Sequence, residues 1–170
     1  RMAKADLETL IVFEFPDLQG QMGRYYAERE EIDADVAIAI EDHYRPTGAH
    51  DSVAETALGA LVGVSDRVDT LVGCFGAGLQ PKGNRDPFAL RRATLSLVRT
   101  ALEGVIDVNA AELFSAAYDQ FSVELAPKET VLAELQEFLR GRLVAHYKES
   151  FRTDVINAAL AAWDGGSLRD

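Results

Sequence analysis

The chain has 170 residues, 48% of them hydrophobic and 26% charged, a balance that suits one globular domain and excludes disorder. Its formal net charge is −11, which argues against the body as a whole binding nucleic acid or an anionic membrane while leaving room for a local basic patch. Cys74 is the only cysteine, so no internal disulfide can form, and a reducing compartment fits.

The hydrophobic period is helical nearly everywhere. Residues 3–14 read as a short, largely apolar helix ending before Pro16. Residues 17–30 read as a second, with Asp17 as N-cap. A third spans 33–45, where Val36, Ile40 and Tyr44 share a face and Pro46 imposes a stop. The fourth, after Ser52, carries a stripe of Ala57, Leu61, Val64, Val68, Leu71 and Phe75. Leu61, Val64, Val68 and Leu71 are expected to be buried, and Gly59, Gly63 and Gly73 to admit a close neighbour. A Gly- and Pro-rich loop over 76–85 follows. Asp86 then caps a fifth helix, with Pro87 at its first position and Leu90, Thr94, Leu97, Ala101 and Val105 on its inner face. A helix near 110–120 comes next, then a long one over 128–148 with Val131, Leu135, Phe138, Leu139, Leu143 and Tyr147 inward. The last starts at Thr153 and buries Val155, Ile156, Ala159, Leu160 and Trp163. No strand alternation, internal repeat or membrane-length apolar run stands out, so the expectation is an all-α domain of about eight helices.

Few residues carry chemistry. His43, His50, Asp51, Asp66 and Asp69 are of the types that hold a divalent ion in metal phosphohydrolases, provided three or four converge. The plainer reading makes them helix caps and surface pairs. His146 reads as a core-edge residue, Cys74 as an inert thiol. The stretch Leu79–Leu102 is different. It holds Lys82, Arg85, Arg91, Arg92 and Arg99 against the single acid Asp86, a local +4 within a −11 chain. Arg91 and Arg92 stand in the first turns of the fifth helix, where their charge opposes the dipole. A free helix N-terminus with nearby arginines suits a phosphate or carboxylate; pairing with acids of other helices is the alternative.

The segments "ADLETLIVFEFPDLQGQMGRYYA", "HYRP" and "SDRVDTLVGCFGAGLQPKGNRDPFALRRATL", with "FLRGRL" and "TDVINAALA" further on, resemble the β subunit of bacterial heterotetrameric glycyl-tRNA synthetase. The resemblance runs to about residue 162 and implies an interior fragment of a longer chain. It implies that residues 1–170 form one domain similar to the HD domain, an all-α fold of metal-dependent phosphohydrolases. Glu14 and Phe15 take the place of that fold's His-Asp pair, His43 falls near a downstream histidine, and Asp66 matches the terminal aspartate. The pair is therefore missing, and His50-Asp51 lies elsewhere.

The resemblance further implies ATP- and magnesium-dependent ligation of glycine to tRNA by a cytoplasmic α2β2 enzyme. The α subunit carries the ATP chemistry, and this fragment is inactive alone, with no cofactor or metal of its own. Its expected partners are the α subunit, other β-subunit domains and tRNA(Gly), with no membrane. The basic cluster is expected to face tRNA phosphates or an acidic partner surface. The other reading is an HD-type divalent-metal phosphohydrolase.

Overall fold

The computed structural model describes residues 2–48 and 50–169. Among them there are eight α-helices, two 3-10 turns and no strand beyond two isolated bridges, so the all-α expectation holds. The α-helices are α1 (Leu10–Glu14), α2 (Gln21–Arg29), α3 (Ala34–Asp42), α4 (Ala57–Gly76), α5 (Leu90–Glu103), α6 (Ala110–Tyr118), α7 (Lys128–Tyr147) and α8 (Thr153–Ala162). Among the described residues no helix is long and apolar enough to cross a membrane.

The N-terminal quarter is more broken than its apolar period suggests. The single helix expected over 3–14 is a 3-10 turn at Ala5–Glu8 followed by α1. Thr9 separates them: its backbone is extended, and its Oγ1 donates to the Asp6 carbonyl at 2.6 Å while accepting from Val12 N at 3.4 Å. The second helix starts at Gln21, and Asp17 lies exposed in a 3-10 turn instead of capping it. The N-cap is Gly20, at φ 81°, a conformation that suits glycine. The buried Asp6 carboxylate ties this region together: it accepts from Gly20 N at 2.7 Å and from the Tyr44 hydroxyl at 2.9 Å.

α3 meets α4 through two glycines. A Cβ on Gly59 would lie 2.5 Å from an Asp42 carboxylate oxygen, and one on Gly63 would lie 2.6 Å from the His43 carbonyl oxygen. The buried Asp42 carboxylate accepts from Glu55 N, Thr56 N and the Thr56 hydroxyl at 3.2, 2.8 and 2.7 Å. Thr56 then caps α4 by accepting from Gly59 N, so the helix starts at Ala57 rather than directly after Ser52. From the other side the buried Arg67 guanidinium donates to the carbonyls of His43, Tyr44 and Arg45 at 2.9–3.1 Å, closing the C-terminal end of α3.

The main core lies between α4, α5, α6 and α7, around Val68, Leu71, Leu97, Phe114, Leu135 and Leu139. Val64, Val68 and Leu71 are buried as expected, but Leu61 is 53% exposed. The inward face of α4 runs through Ala60, Val64, Arg67, Val68, Leu71, Val72 and Phe75; near its start the contact with α3 is made by glycines, which leaves Ala57 and Leu61 outside it. Val105, beyond the end of α5, is exposed as well. In α8 only Ile156 is fully buried; Val155 and Ala159 are exposed, and Leu160 and Trp163 half-buried. α8 packs mainly on α7, and an open groove of about 860 Å³ lies along its apolar side.

Candidate functional site

The basic stretch forms a small rigid unit ahead of α5. Lys82 and Arg85 face one another in an antiparallel bridge: Lys82 N donates to the Arg85 carbonyl at 3.1 Å, and Arg85 N returns a bond to the Lys82 carbonyl at 2.9 Å. The turn between them is Gly83-Asn84, with Gly83 at φ 52°. Residues directly opposed in this way hold their Cβ atoms about 4.5–5.5 Å apart on one face, and like charges so placed are destabilising. Lys82, Arg85 and also Arg92 are exposed and form no ion pair among the described residues.

The other two cations of the stretch are built into the chain. Arg91 reaches back to the turn and donates to the Gly83 carbonyl at 2.6 Å, with its guanidinium 4.0 Å from Asp86. Arg99 forms a two-pronged pair with Glu103 at 2.8 and 2.9 Å and donates to the Gly48 carbonyl at 3.0 Å. That hydrogen-bonded pairing raises the Arg99 pKa and lowers that of Glu103. The helix N-terminus is not free. The Asp86 carboxylate accepts from Leu90 N at 2.8 Å and Arg91 N at 3.0 Å, so it takes the place offered to an external anion. Asp86 thus serves the start of α5, but not as the expected N-cap with Pro87 at the first position: the helix begins at Leu90, Ala89 holds the N-cap position at φ 54°, and the carboxylate reaches in from four residues upstream.

His43 is 1% exposed; its Nδ1 lies 2.8 Å from the Ile40 carbonyl, which it can only approach as a donor, while its buried Nε2 has no partner among the described residues. The ring packs on Tyr44 at 4.0 Å. Burial is the main cause that holds the His43 pKa below its usual value. Asp66 is engaged by the Lys4 ammonium at 2.5 Å. Glu14 and Phe15 stand exposed at the end of α1, and His50 is exposed. Asp51 accepts from Thr47 N at 2.8 Å, the largest cause of its lowered pKa. Among the described residues no three His, Cys, Asp or Glu side chains gather to hold a metal ion, and the phosphohydrolase alternative finds no support in this arrangement. Cys74 is half-buried, and burial raises its thiol pKa. His146 packs at the edge of Tyr147, with ring centroids 4.9 Å apart.

A family model described as "Glycyl-tRNA synthetase beta subunit" matches residues 1–161. The chain belongs to this family. Among curated relatives, the "Glycine--tRNA ligase beta subunit" of Moorella thermoacetica is 45% identical over 166 residues, covering 95% of this chain and 24% of the relative. The proteins of the same name from Neisseria meningitidis serogroup C and Dichelobacter nodosus are 42% and 39% identical over 161 and 170 residues, covering 95% and 100% of this chain and 23% and 24% of theirs. The chain spans about a quarter of the length of these relatives.

Within this member of the glycyl-tRNA synthetase β-subunit family, the sequence pointed to a basic cluster but not to its division. Five cations adjacent in sequence separate into three that face solvent and two that hold the backbone. One local signal bears on the division: "KGNR" puts two turn-forming residues between two cations, the spacing that sets them opposite each other in a tight hairpin. The partner that Lys4 gives Asp66 has no such signal, because it depends on how the N-terminal segment folds back.

Proposed function

We propose that this chain is a noncatalytic module of a glycine–tRNA ligase β subunit, whose cationic edge engages the phosphates of tRNA(Gly). The observation that carries this reading is the bridge that sets Lys82 opposite Arg85, neither of them in an ion pair among the described residues. Two cations held together at a cost, within a chain of net charge −11, suit an anionic partner that offsets their repulsion. Arg92 extends the edge along α5, and Arg91 is a positioning residue that fastens the turn to the helix. Arg99, paired with Glu103, sits behind it.

In this reading residues 1–170 form a single HD-like domain in which Glu14, Phe15, His43 and Asp66 are relics of a metal site. The ATP and magnesium chemistry belongs to the α subunit, and the enzyme works in the cytoplasm. The module also serves assembly with the α subunit and with other β-subunit domains.

The test is the double variant Lys82→Ala/Arg85→Ala in the full α2β2 enzyme. It should raise the tRNA KM more than it lowers kcat. The slope of log affinity against log salt should become shallower by about 0.7–0.9 for each phosphate no longer neutralised. An unchanged slope with weakened α2β2 association would assign the edge to subunit assembly instead.

A further inference from the structure

α8 has an apolar side that the chain leaves open. Val155, Ala159 and Ala162 follow one another at steps of four and three, so they share a face, and Phe151 lies four residues ahead of Val155. All four are exposed, Phe151 at 56% and Val155 at 54%, and all four line the groove of about 860 Å³. Leu143 and Tyr147 of α7 and Leu102 of α5 line it from the body of the fold. Its remaining lining comes from the segment after α8, which turns back on the fold and is fastened there. Trp163 Nε1 donates to the Ser167 carbonyl at 2.8 Å, and Leu168 N donates to the Val108 carbonyl at 3.3 Å. The Arg169 guanidinium donates to the Ala101 carbonyl at 2.7 Å and to the Gly104 carbonyl. Residues up to Arg169, the last described, are therefore held at the edge of the groove.

The chemistry of the lining selects the kind of occupant. A site for a small polar molecule needs a few free polar groups aimed into it. Here four of the polar side chains at the groove are already bonded within the chain. Asn109 caps α6, Asp164 accepts from Gly166 N at 2.8 Å, Ser167 Oγ accepts from Arg169 N at 3.2 Å, and Arg169 donates to backbone carbonyls. Arg169 is also the one cation that lines the groove among the described residues, which leaves little to hold a phosphate. An apolar protein segment suits such a surface. A second copy of this chain is disfavoured, because each copy carries a net charge of −11.

We infer that the groove seats the β-subunit chain that follows residue 170, as an apolar segment laid against Phe151, Val155 and Ala159. This rests on the reading of the chain as a module of a longer β subunit, and not on its cationic edge. The relatives supply the length, since this chain spans about a quarter of theirs. The strap supplies the direction, since a segment continuing from Arg169 sets out from the edge of the groove itself. Tethered that closely, it meets the groove at an effective concentration on the order of millimolar. A modest apolar contact is then enough to hold it, and the open side of α8 offers one.

The test uses the full α2β2 enzyme with photoreactive benzoylphenylalanine in place of Val155. Irradiation should cross-link position 155 to a peptide of the same β chain beyond residue 170. Enzyme assembled from light and isotopically heavy β chains separates a link within one β chain from a link between two. Cross-links to the α subunit, to a second β chain or to tRNA, or no cross-link at all, would overturn the inference. Val155→Asp gives a second readout in the same enzyme. Because Val155 is exposed within residues 1–170, amide exchange in α7 should stay within about twofold of the unmutated enzyme. Exchange in the segment beyond residue 170 should quicken by about tenfold, as when the burial of one valine is undone. Unchanged exchange there would equally overturn the inference. Should the aspartate disturb α7 as well, the cross-link decides. The two readings fail separately. A failed cross-link beside a shallower salt slope in Lys82→Ala/Arg85→Ala removes the groove and leaves the cationic edge, and the opposite pair of results does the reverse.

Discussion

Around α2 and α3 the buried apolar cluster consists of Ala27, Ala37 and Ile40, whereas the cluster shared by α4, α5, α6 and α7 holds 17 buried residues among those described. The first region instead buries Asp6, Asp42, His43 and Arg67, almost all of their polar atoms engaged by backbone groups or hydroxyls. Beyond Arg67, which α4 turns toward α3, the second buries only neutral polar side chains among the described residues, such as Thr94, whose hydroxyl donates to the Leu90 carbonyl at 2.9 Å. Burial without direction supplies most of the stability in one region. In the other, bonds with direction set how the elements meet.

The largest effect should come from the dry side. Leu139→Ala, at a fully buried position of α7, should cost about 2–5 kcal/mol in chemical unfolding of the chain. A loss below about 1 kcal/mol would mean that this core does not carry the stability.

Asp42→Ala tests the polar side. It strands the Glu55 and Thr56 N–H groups and should cost about 2 kcal/mol. The informative readout is amide hydrogen exchange, which should rise at the start of α4 more than in α7. Uniform change across both would erase the contrast.

A smaller effect concerns pH. The folded state holds His43 below its unfolded pKa of about 6.5, so below that pH the unfolded chain binds more protons. Stability should therefore fall as pH drops from 7 through 6 toward the lower folded pKa. His43→Gln should flatten that dependence in unfolding curves collected at pH 7 and pH 5. Equal slopes for the two proteins would show that His43 is not what the fall reports.

The smallest effect is expected at Leu61, which the apolar stripe of α4 places in the core and the structure places at 53% exposure. Leu61→Ala should change stability by no more than about 0.5 kcal/mol.

What the sequence made legible follows the same division. The long amphipathic helices were readable because apolar burial leaves a period: α7 matches its expected span closely, and Val131, Leu135, Leu139 and Leu143 are all buried. The N-terminal elements were less legible because their ends are set by partners far off in sequence. Asp6 fixes the entry to α2 through Gly20, 14 residues away, and Asp42 fixes the entry to α4 through Thr56, 14 residues away. The exposed side of α8 differs from expectation for a related reason: a period shows which face is apolar, not whether anything lies against it. At the candidate interface, composition located the cations, while the opposing of Lys82 and Arg85 needed the turn, and the inward bonds of Arg91 and Arg99 needed the tertiary fold.

The three carbonyls gathered by Arg67 have a practical consequence for experiments in solution. Peptide oxygens neither gain nor lose protons across ordinary pH, and a buried charge–dipole contact is screened far less by added electrolyte than exposed ion pairs are. The fastening of α3 to α4 should thus behave as a fixed reference while ionic conditions vary. A titration with potassium chloride can then be read as a report on the exposed cations, uncontaminated by loosening of the frame behind them.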